Sequence, residues 1–196
     1  MTRRSFVIFA AAAALLAGAG QAHAQKFFDF MNGGTSFYGG ERRLSPGGVS
    51  PIPRTRVEYP SNYAPGTIVI STAERRLYLV QPGGTALRYG IGVGRDGFRW
   101  GGVHRITAKR EWPDWTPPAE MLRRRPDLPS YMEGGIENPL GARALYLGST
   151  LYRIHGSNEP ETIGQAVSSG CFRMTNEDVV DLYDRVSVGT TVVVKN

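Results

Sequence analysis

From Gly66 onward the chain is a series of short apolar runs punctuated by glycine and turn residues. Gly66–Ser71 and Arg75–Val80 predict two strands joined by a turn through Ala73 and Glu74. Pro82-Gly83-Gly84 marks the next turn, and Leu87–Val93 returns as a strand. Val103–Ala108 predicts another. Ala144–Leu147 and Leu151–His155 predict a hairpin about Gly148-Ser149-Thr150. The period then changes. Val179, Leu182, Tyr183 and Val186 recur at helical spacing. They follow Thr175, a good N-cap, with Asp178 at the capping-box position. Acids at Glu177 and Asp178 suit the positive end of that helix. The β-branched run Thr190–Val194 closes the chain as a last strand. This rhythm predicts a mainly β domain with minor α, class α+β, over residues 66–196.

Residues 109–141 interrupt the rhythm. Glu111-Trp-Pro-Asp-Trp-Thr-Pro-Pro118 is aromatic and rigid, Pro118–Arg125 predicts a short helix, and Pro126 stops it. The run Glu133–Gly141 is loop. Long irregular insertions are functional or disordered. Trp112, Trp115 and Tyr131 favour an ordered flap over the site, with simple core packing as the alternative.

The N-terminal third carries a different pattern. Arg3 and Arg4 precede an apolar, Ala-rich stretch from Phe6 to Gly20, and Ala22-His23-Ala24 fits a small-x-small cleavage site. Residues 1–24 therefore read as an export signal, with an uncleaved N-terminal anchor as the alternative. The stretch is short for a spanning helix, which needs about 20 residues. The two arginines also resemble a twin-arginine motif. Residues 25–65 are rich in Gly and Pro and read as a leader and semi-extended linker. Phe27, Phe28, Phe30, Phe37 and Tyr38 suggest that part of it docks on something. About 130 residues remain, enough for one substantial core.

Charge narrows the partners. The formal net charge is +6, and residues 1–24 contribute two arginines and no acids, so the mature chain carries +4. A mildly basic exported protein suits an anionic envelope polymer. Nucleic acid is excluded, because no basic cluster is interleaved with stacking aromatics on one element. Arg123-Arg124-Arg125 reads as a solvated face. Gly92-Val-Gly-Arg-Asp-Gly97 matches GxGxxG in letters only, because the dinucleotide motif needs a helix directly after it. Phe98-Arg-Trp-Gly-Gly102 is no helix.

The candidate chemistry lies between Leu151 and Met174. This segment holds one of three histidines, His155, and the only cysteine, Cys171. A Gly- and Ser-rich loop through Pro160 and Gly164 separates them. An imidazole returned to a thiol is the minimum equipment for thiolate catalysis, since a free thiol with a pKa of about 8.5 needs a base. Gly170 lets the backbone approach closely, so that the N–H groups of Gly170 and Cys171 could hold an oxyanion. Arg173 offers a fixed positive charge for a substrate carboxylate. A lone cysteine in an exported chain has no internal disulfide partner. Zinc on Cys171, His155, His104 and a carboxylate is the rival. Structural zinc prefers paired Cys and His ligands at short spacings, and none exist here. No metal and no cofactor are therefore expected.

The segment IHGSN…SSGCFRMTNEDVVDLYDRV resembles the catalytic signature of the L,D-transpeptidase family, the YkuD-type domain. A His-Gly pair precedes a Ser-x-Gly-Cys-x-Arg motif, and a helix opening on Asn-Glu-Asp follows. The resemblance runs from about Gly66 to Val194. It implies a β-sandwich-type catalytic domain with a lid insertion and one helix after the cysteine. It also implies a peptidoglycan substrate, with Cys171 as nucleophile and His155 as base. Many members carry His where this chain has Ser169, and the resemblance assigns that residue's carbonyl to orienting His155. Ser168, Tyr152 and Asn138 join Arg173 as expected substrate contacts. The activity implied is 3-3 cross-linking of stem peptides through a thioester, with D-alanine released. An L,D-carboxypeptidase, or an enzyme anchoring an outer-membrane protein to peptidoglycan, would use the same acyl-enzyme. A non-catalytic wall-binding protein is the distant alternative. A carbapenem should acylate Cys171, and the expected location is the periplasm.

Overall fold

The computed structural model describes residues 50–196. The expected export signal and most of the expected leader lie outside the described residues. Eleven strands appear within the described residues: β1 Thr55–Glu58, β2 Ile68–Ser71, β3 Arg76–Gln81, β4 Thr85–Gly90, β5 Val93–Gly94, β6 Gly102–Glu111, β7 Arg143–Leu147, β8 Arg153–His155, β9 Ala166–Ser168, β10 Phe172–Arg173 and β11 Thr191–Lys195. Two α-helices accompany them, α1 Ala119–Arg124 and α2 Asn176–Arg185. The class is α+β and mainly β, as the apolar rhythm predicts.

Nine strands are joined in the order β1-β4-β3-β2-β11-β6-β7-β8-β10, and β5 pairs separately with β9. β6 links the two halves. Its first residues pair with β11, its later ones with β7, and a bulge separates Ile106 from Ala108. One hydrophobic cluster takes residues from both halves: Ile68, Ile70 and Leu77 from one, Leu145, Leu147 and Ile154 from the other. Val179 and Leu182 bring α2 into it. Thr175 caps α2, its Oγ1 accepting from the Asp178 N–H at 3.2 Å.

β1 lies in the stretch expected to be linker. It pairs antiparallel with β4. Just before it, Arg54 reaches Asp178 at 3.4 Å and Asp181 at 3.3 Å on α2. The four residues of β1, between Pro53 and Pro60, are too few for alternation to stand out, and their partner is recruited across the fold.

The insertion after β6 is ordered on its own small core of Trp115, Met121, Leu128 and Leu140. Core packing thus accounts for Trp115, while Trp112 and Tyr131 remain exposed. Asn138 is 1 % exposed and fully engaged in this segment. Its amide donates to Glu133 O at 2.9 Å, and its Oδ1 accepts from the Leu140 N–H at 2.9 Å. The expected substrate contact at Asn138 is corrected accordingly, because the side chain shapes a turn.

β8 and β10 run parallel, with Ile154 beside Phe172 and His155 beside Arg173. A parallel pair needs a crossover of a dozen or more residues. Residues 156–171 supply it as a loop with one 3-10 turn at Pro160–Thr162. The Arg173–Glu159 ion pair at 3.3 Å ties this loop to β10, with both side chains almost fully buried. Removing one partner of a buried pair strands a charge and costs about 3–5 kcal/mol. Loss of an N-cap costs about 1 kcal/mol. Glu159→Ala is therefore expected to lower the urea unfolding midpoint clearly more than Thr175→Ala, and equal shifts would show that the ion pair does not hold the crossover.

Candidate functional site

His155 ends β8 and is buried. Its Nδ1 meets the Gly156 carbonyl at 2.6 Å. A carbonyl only accepts, so Nδ1 carries the proton and Nε2 is left with its lone pair. The orienting carbonyl is thus that of Gly156, which corrects the expectation for Ser169. Gly156 has little room. A Cβ there would collide with Asn176 Oδ1, and so would one at Gly141. Asn176 Oδ1 lies there because it accepts from the Ala142 N–H at 2.8 Å. The first residue of α2 thereby packs against the residue that orients the histidine.

Cys171 sits just before β10. Strand alternation puts His155 and Arg153 on one face of β8, and Arg173 and Cys171 on the same face of the β10 edge. The parallel register therefore sets the thiol diagonally from the imidazole. The other edge of β10 is held by reciprocal bonds between Arg173 and Gly92, both 2.9 Å. β9 and β5 continue that support with the bond from Arg95 N–H to Ser168 O at 3.0 Å.

The turn before the cysteine is closed from within. Ser168 Oγ donates to Cys171 O at 2.6 Å and accepts from the Gly170 N–H at 3.1 Å. Ser168 is buried, so it shapes the turn, and the expectation of substrate contact is corrected. The Gly170 N–H is likewise engaged, which removes one of the two expected oxyanion donors. Gly170 has φ +110°, and a Cβ there would strike the Tyr152 ring. Tyr152 therefore supports the turn from below. It stacks on Trp100, with ring centroids 4.4 Å apart and planes 9° from parallel. Trp100 Nε1 donates to the Gly170 carbonyl at 2.7 Å. Ser169 is half-buried in the same turn.

Arg173 differs most from expectation. It is 1 % exposed and faces Glu159, so it cannot present its charge at the surface to a substrate. Its field still reaches the site. Burial lowers the His155 pKa to about 3, and the positive charges of Arg173 and Arg153 add to that. Burial pushes the Cys171 thiol up, while Arg153, a backbone hydrogen bond from Arg153, and Arg173 pull it back. Burial thus disfavours charge on both the imidazole and the thiol. The sulfur also makes a weak contact with Leu151 O at 4.0 Å.

Among the described residues, no group of three or more His, Cys, Asp or Glu could hold a metal ion. His104 lies against Trp100, ring centroids 4.9 Å apart. Four contributors escaped the sequence reading: Trp100, Gly156, Glu159 and Asn176. The Gly after His155 and the Asn opening α2 stood inside the quoted motif, so a signal existed for them. Trp100 lies 71 residues from the cysteine in a glycine-rich stretch, and nothing in its surroundings marks it.

Residues 65–194 match the YkuD family model, described as the L,D-transpeptidase catalytic domain. The chain is 40% identical over 134 residues to the probable L,D-transpeptidase ErfK/SrfK of Escherichia coli K12, covering 64% of this chain and 42% of that protein. It spans about two-fifths of the length of such curated relatives. The catalytic domain of the Enterococcus faecium L,D-transpeptidase superposes with a TM-score of 0.53 at 20% identity, covering 69% of this chain and 100% of that one. A Brucella melitensis protein described as a probable carnitine operon oxidoreductase is 51% identical, with a TM-score of 0.50, covering 73% of this chain and 93% of that one. In the present chain the dinucleotide-like run Gly92–Gly97 passes from β5 through a turn into β6, with no helix after it. By the family match and the shared fold, the chain belongs to the L,D-transpeptidase family, through a YkuD-type catalytic domain.

Proposed function

We propose that the protein is an exported peptidoglycan L,D-transpeptidase that works through a thioester on Cys171. The reading rests above all on the contact between His155 Nδ1 and Gly156 O at 2.6 Å. It leaves Nε2 as a base, and the β8–β10 register puts the thiol on the same sheet face. The substrate class comes from the family. The E. coli relative carries the name of a probable L,D-transpeptidase. Export is supported by the pattern of residues 1–24.

The steps follow from the neutral pair. As Cys171 Sγ attacks the carbonyl of the third residue of a donor tetrapeptide, its proton passes to His155 Nε2. A C–S bond forms, and the carbonyl electrons move to an oxyanion facing backbone N–H. When the oxyanion collapses, the C–N bond breaks and the D-alanine amine takes the proton from His155. An acceptor amine then attacks the thioester and gives its proton to Nε2. The C–S bond breaks, the thiolate regains the proton, and a cross-link between two third-position residues remains.

Incubation with purified disaccharide-tetrapeptides, read by mass spectrometry, is expected to give a dimer with loss of D-alanine. Cys171→Ala should abolish it. Tripeptide alone would identify water as the acceptor, and turnover by the alanine variant would remove the thiol from the mechanism. A carbapenem should add its mass to the wild type and leave Cys171→Ala unchanged.

His155 also ties stability to pH. Its native pKa, near 3, lies below the ordinary unfolded value near 6.5. Above pH 6.5 both states are neutral and its contribution is intact. As pH falls from 6.5 toward 3, the unfolded chain takes up a proton that the native site refuses, and stability is lost. Urea titrations at pH 7 and pH 5 should show wild type losing on the order of 1–2 kcal/mol more than His155→Gln. Equal losses in the two proteins would mean that the native imidazole titrates normally.

A further inference from the structure

We propose that Trp100 is a positioning residue for acyl transfer: by holding the Gly170 carbonyl it aims the Cys171 N–H as the oxyanion donor of the catalytic turn. The inference rests on the acyl-transfer reading above and names a part of that site outside the motif.

The argument starts from the peptide plane. Gly170 C=O and Cys171 N–H belong to one peptide unit. No cis peptide bonds occur among the described residues, so the two groups point in opposite directions. Trp100 Nε1 takes the carbonyl at 2.7 Å. The N–H of the same plane is therefore turned away from the indole. Of the two N–H groups that could face an oxyanion, Gly170's is engaged by Ser168 Oγ at 3.1 Å. That leaves the Cys171 N–H, and its direction is the direction Trp100 imposes.

The indole is itself held in place. It stacks on Tyr152 at 4.4 Å between centroids, meets His104 edge-on at 4.9 Å and Phe172 at 5.2 Å. Aromatic pairs of this kind add about 0.5–1.5 kcal/mol beyond area burial. Tyr152 occupies the space beneath Gly170 where a Cβ would stand. The turn is thus fixed from two directions by one stack. Tyr152 limits its depth, and Trp100 sets the rotation of the peptide plane. At φ +110°, Gly170 has few conformations that satisfy both, and only glycine tolerates that value readily. An oxyanion donor is useful only when it already points where charge develops, and losing one such donor costs about 10²–10³ in rate.

The test compares two reactions of Cys171 in the full-length protein. p-Nitrophenyl acetate acylates the thiol through a tetrahedral oxyanion. Iodoacetamide alkylates it by displacement and forms no oxyanion. Trp100→Phe keeps a ring in the stack and removes the N–H donor. It is expected to slow acetylation roughly 10–100-fold and to leave alkylation within about twofold. Trp100→His, which retains a ring N–H, should recover part of the acetylation rate. With the tetrapeptide donor, the loss should fall on kcat and leave KM unchanged. Unchanged acetylation in Trp100→Phe would overturn the proposal. So would an equal fall in both reactions, or loss of cooperative melting, because Trp100 would then be a structural support. Acetylation of the wild type without any tetrapeptide turnover would count against the stem-peptide reading and leave this inference standing.

Discussion

The parallel pairing of β8 with β10 is the constraint on which the rest of the site depends. Two adjacent parallel strands cannot be joined by a tight turn. The interval between His155 and Cys171 is therefore a topological requirement as much as a motif. The chain must leave the sheet after His155, travel, and re-enter beside it at Cys171. Most crossovers use a helix for this purpose. Here the path is irregular, and an irregular buried loop must satisfy its own backbone groups. Glu159 holds Arg173, β9 lies on β5, and Gly92 bonds both ways with Arg173. Each of these contacts fixes the point at which the loop re-enters, and hence the position of the sulfur.

The electrostatics follow from the same burial. Taking the imidazole out of water disfavours imidazolium, and taking the thiol out disfavours thiolate. A resting ion pair would be penalised on both members. Arg153 and Arg173 act in one direction on each partner: they oppose positive charge on His155 and favour negative charge on Cys171. Arg173 thus acts on the pair through its field, from a buried position.

Much of the architecture was legible in the sequence. Short apolar runs between turns point to β2, β3, β4, β6, β7, β8 and β11, and the helical spacing after Thr175 points to α2 with its cap. Elements set by distant partners were not. β1 is four residues long and exists because β4 offers an edge. β9 and β10 are shorter still and exist because the crossover must be pinned. Within the site, His155 and Cys171 stand out in the sequence because thiolate chemistry needs those side chains, and the structure sets them on adjacent strand ends. Asn138, Ser168 and Arg173 were assigned to the substrate because each is polar and stands near the motif or in a family-like run. Hydrogen-bond geometry decides otherwise, and a sequence does not carry it.

The corrections at Ser168 and Arg173 share a cause, and it bears on how such loops work. A crossover without a helix has many backbone groups to satisfy and few regular bonds to satisfy them with. Polar side chains close to the catalytic pair are drawn inward for that task. Ser168 bonds twice within its own turn, Arg173 faces Glu159, and the Gly170 carbonyl goes to Trp100. The groups left with most freedom are the far nitrogen of His155 and the Cys171 N–H, beside a thiol held only by a weak contact with Leu151 O and a backbone hydrogen bond from Arg153. Nucleophile, base and oxyanion donor are what acyl transfer needs. The aromatic support of Trp100 and Tyr152 fits the same logic. It fixes the turn through ring packing and one N–H, and it leaves the turn's last donor free for the substrate.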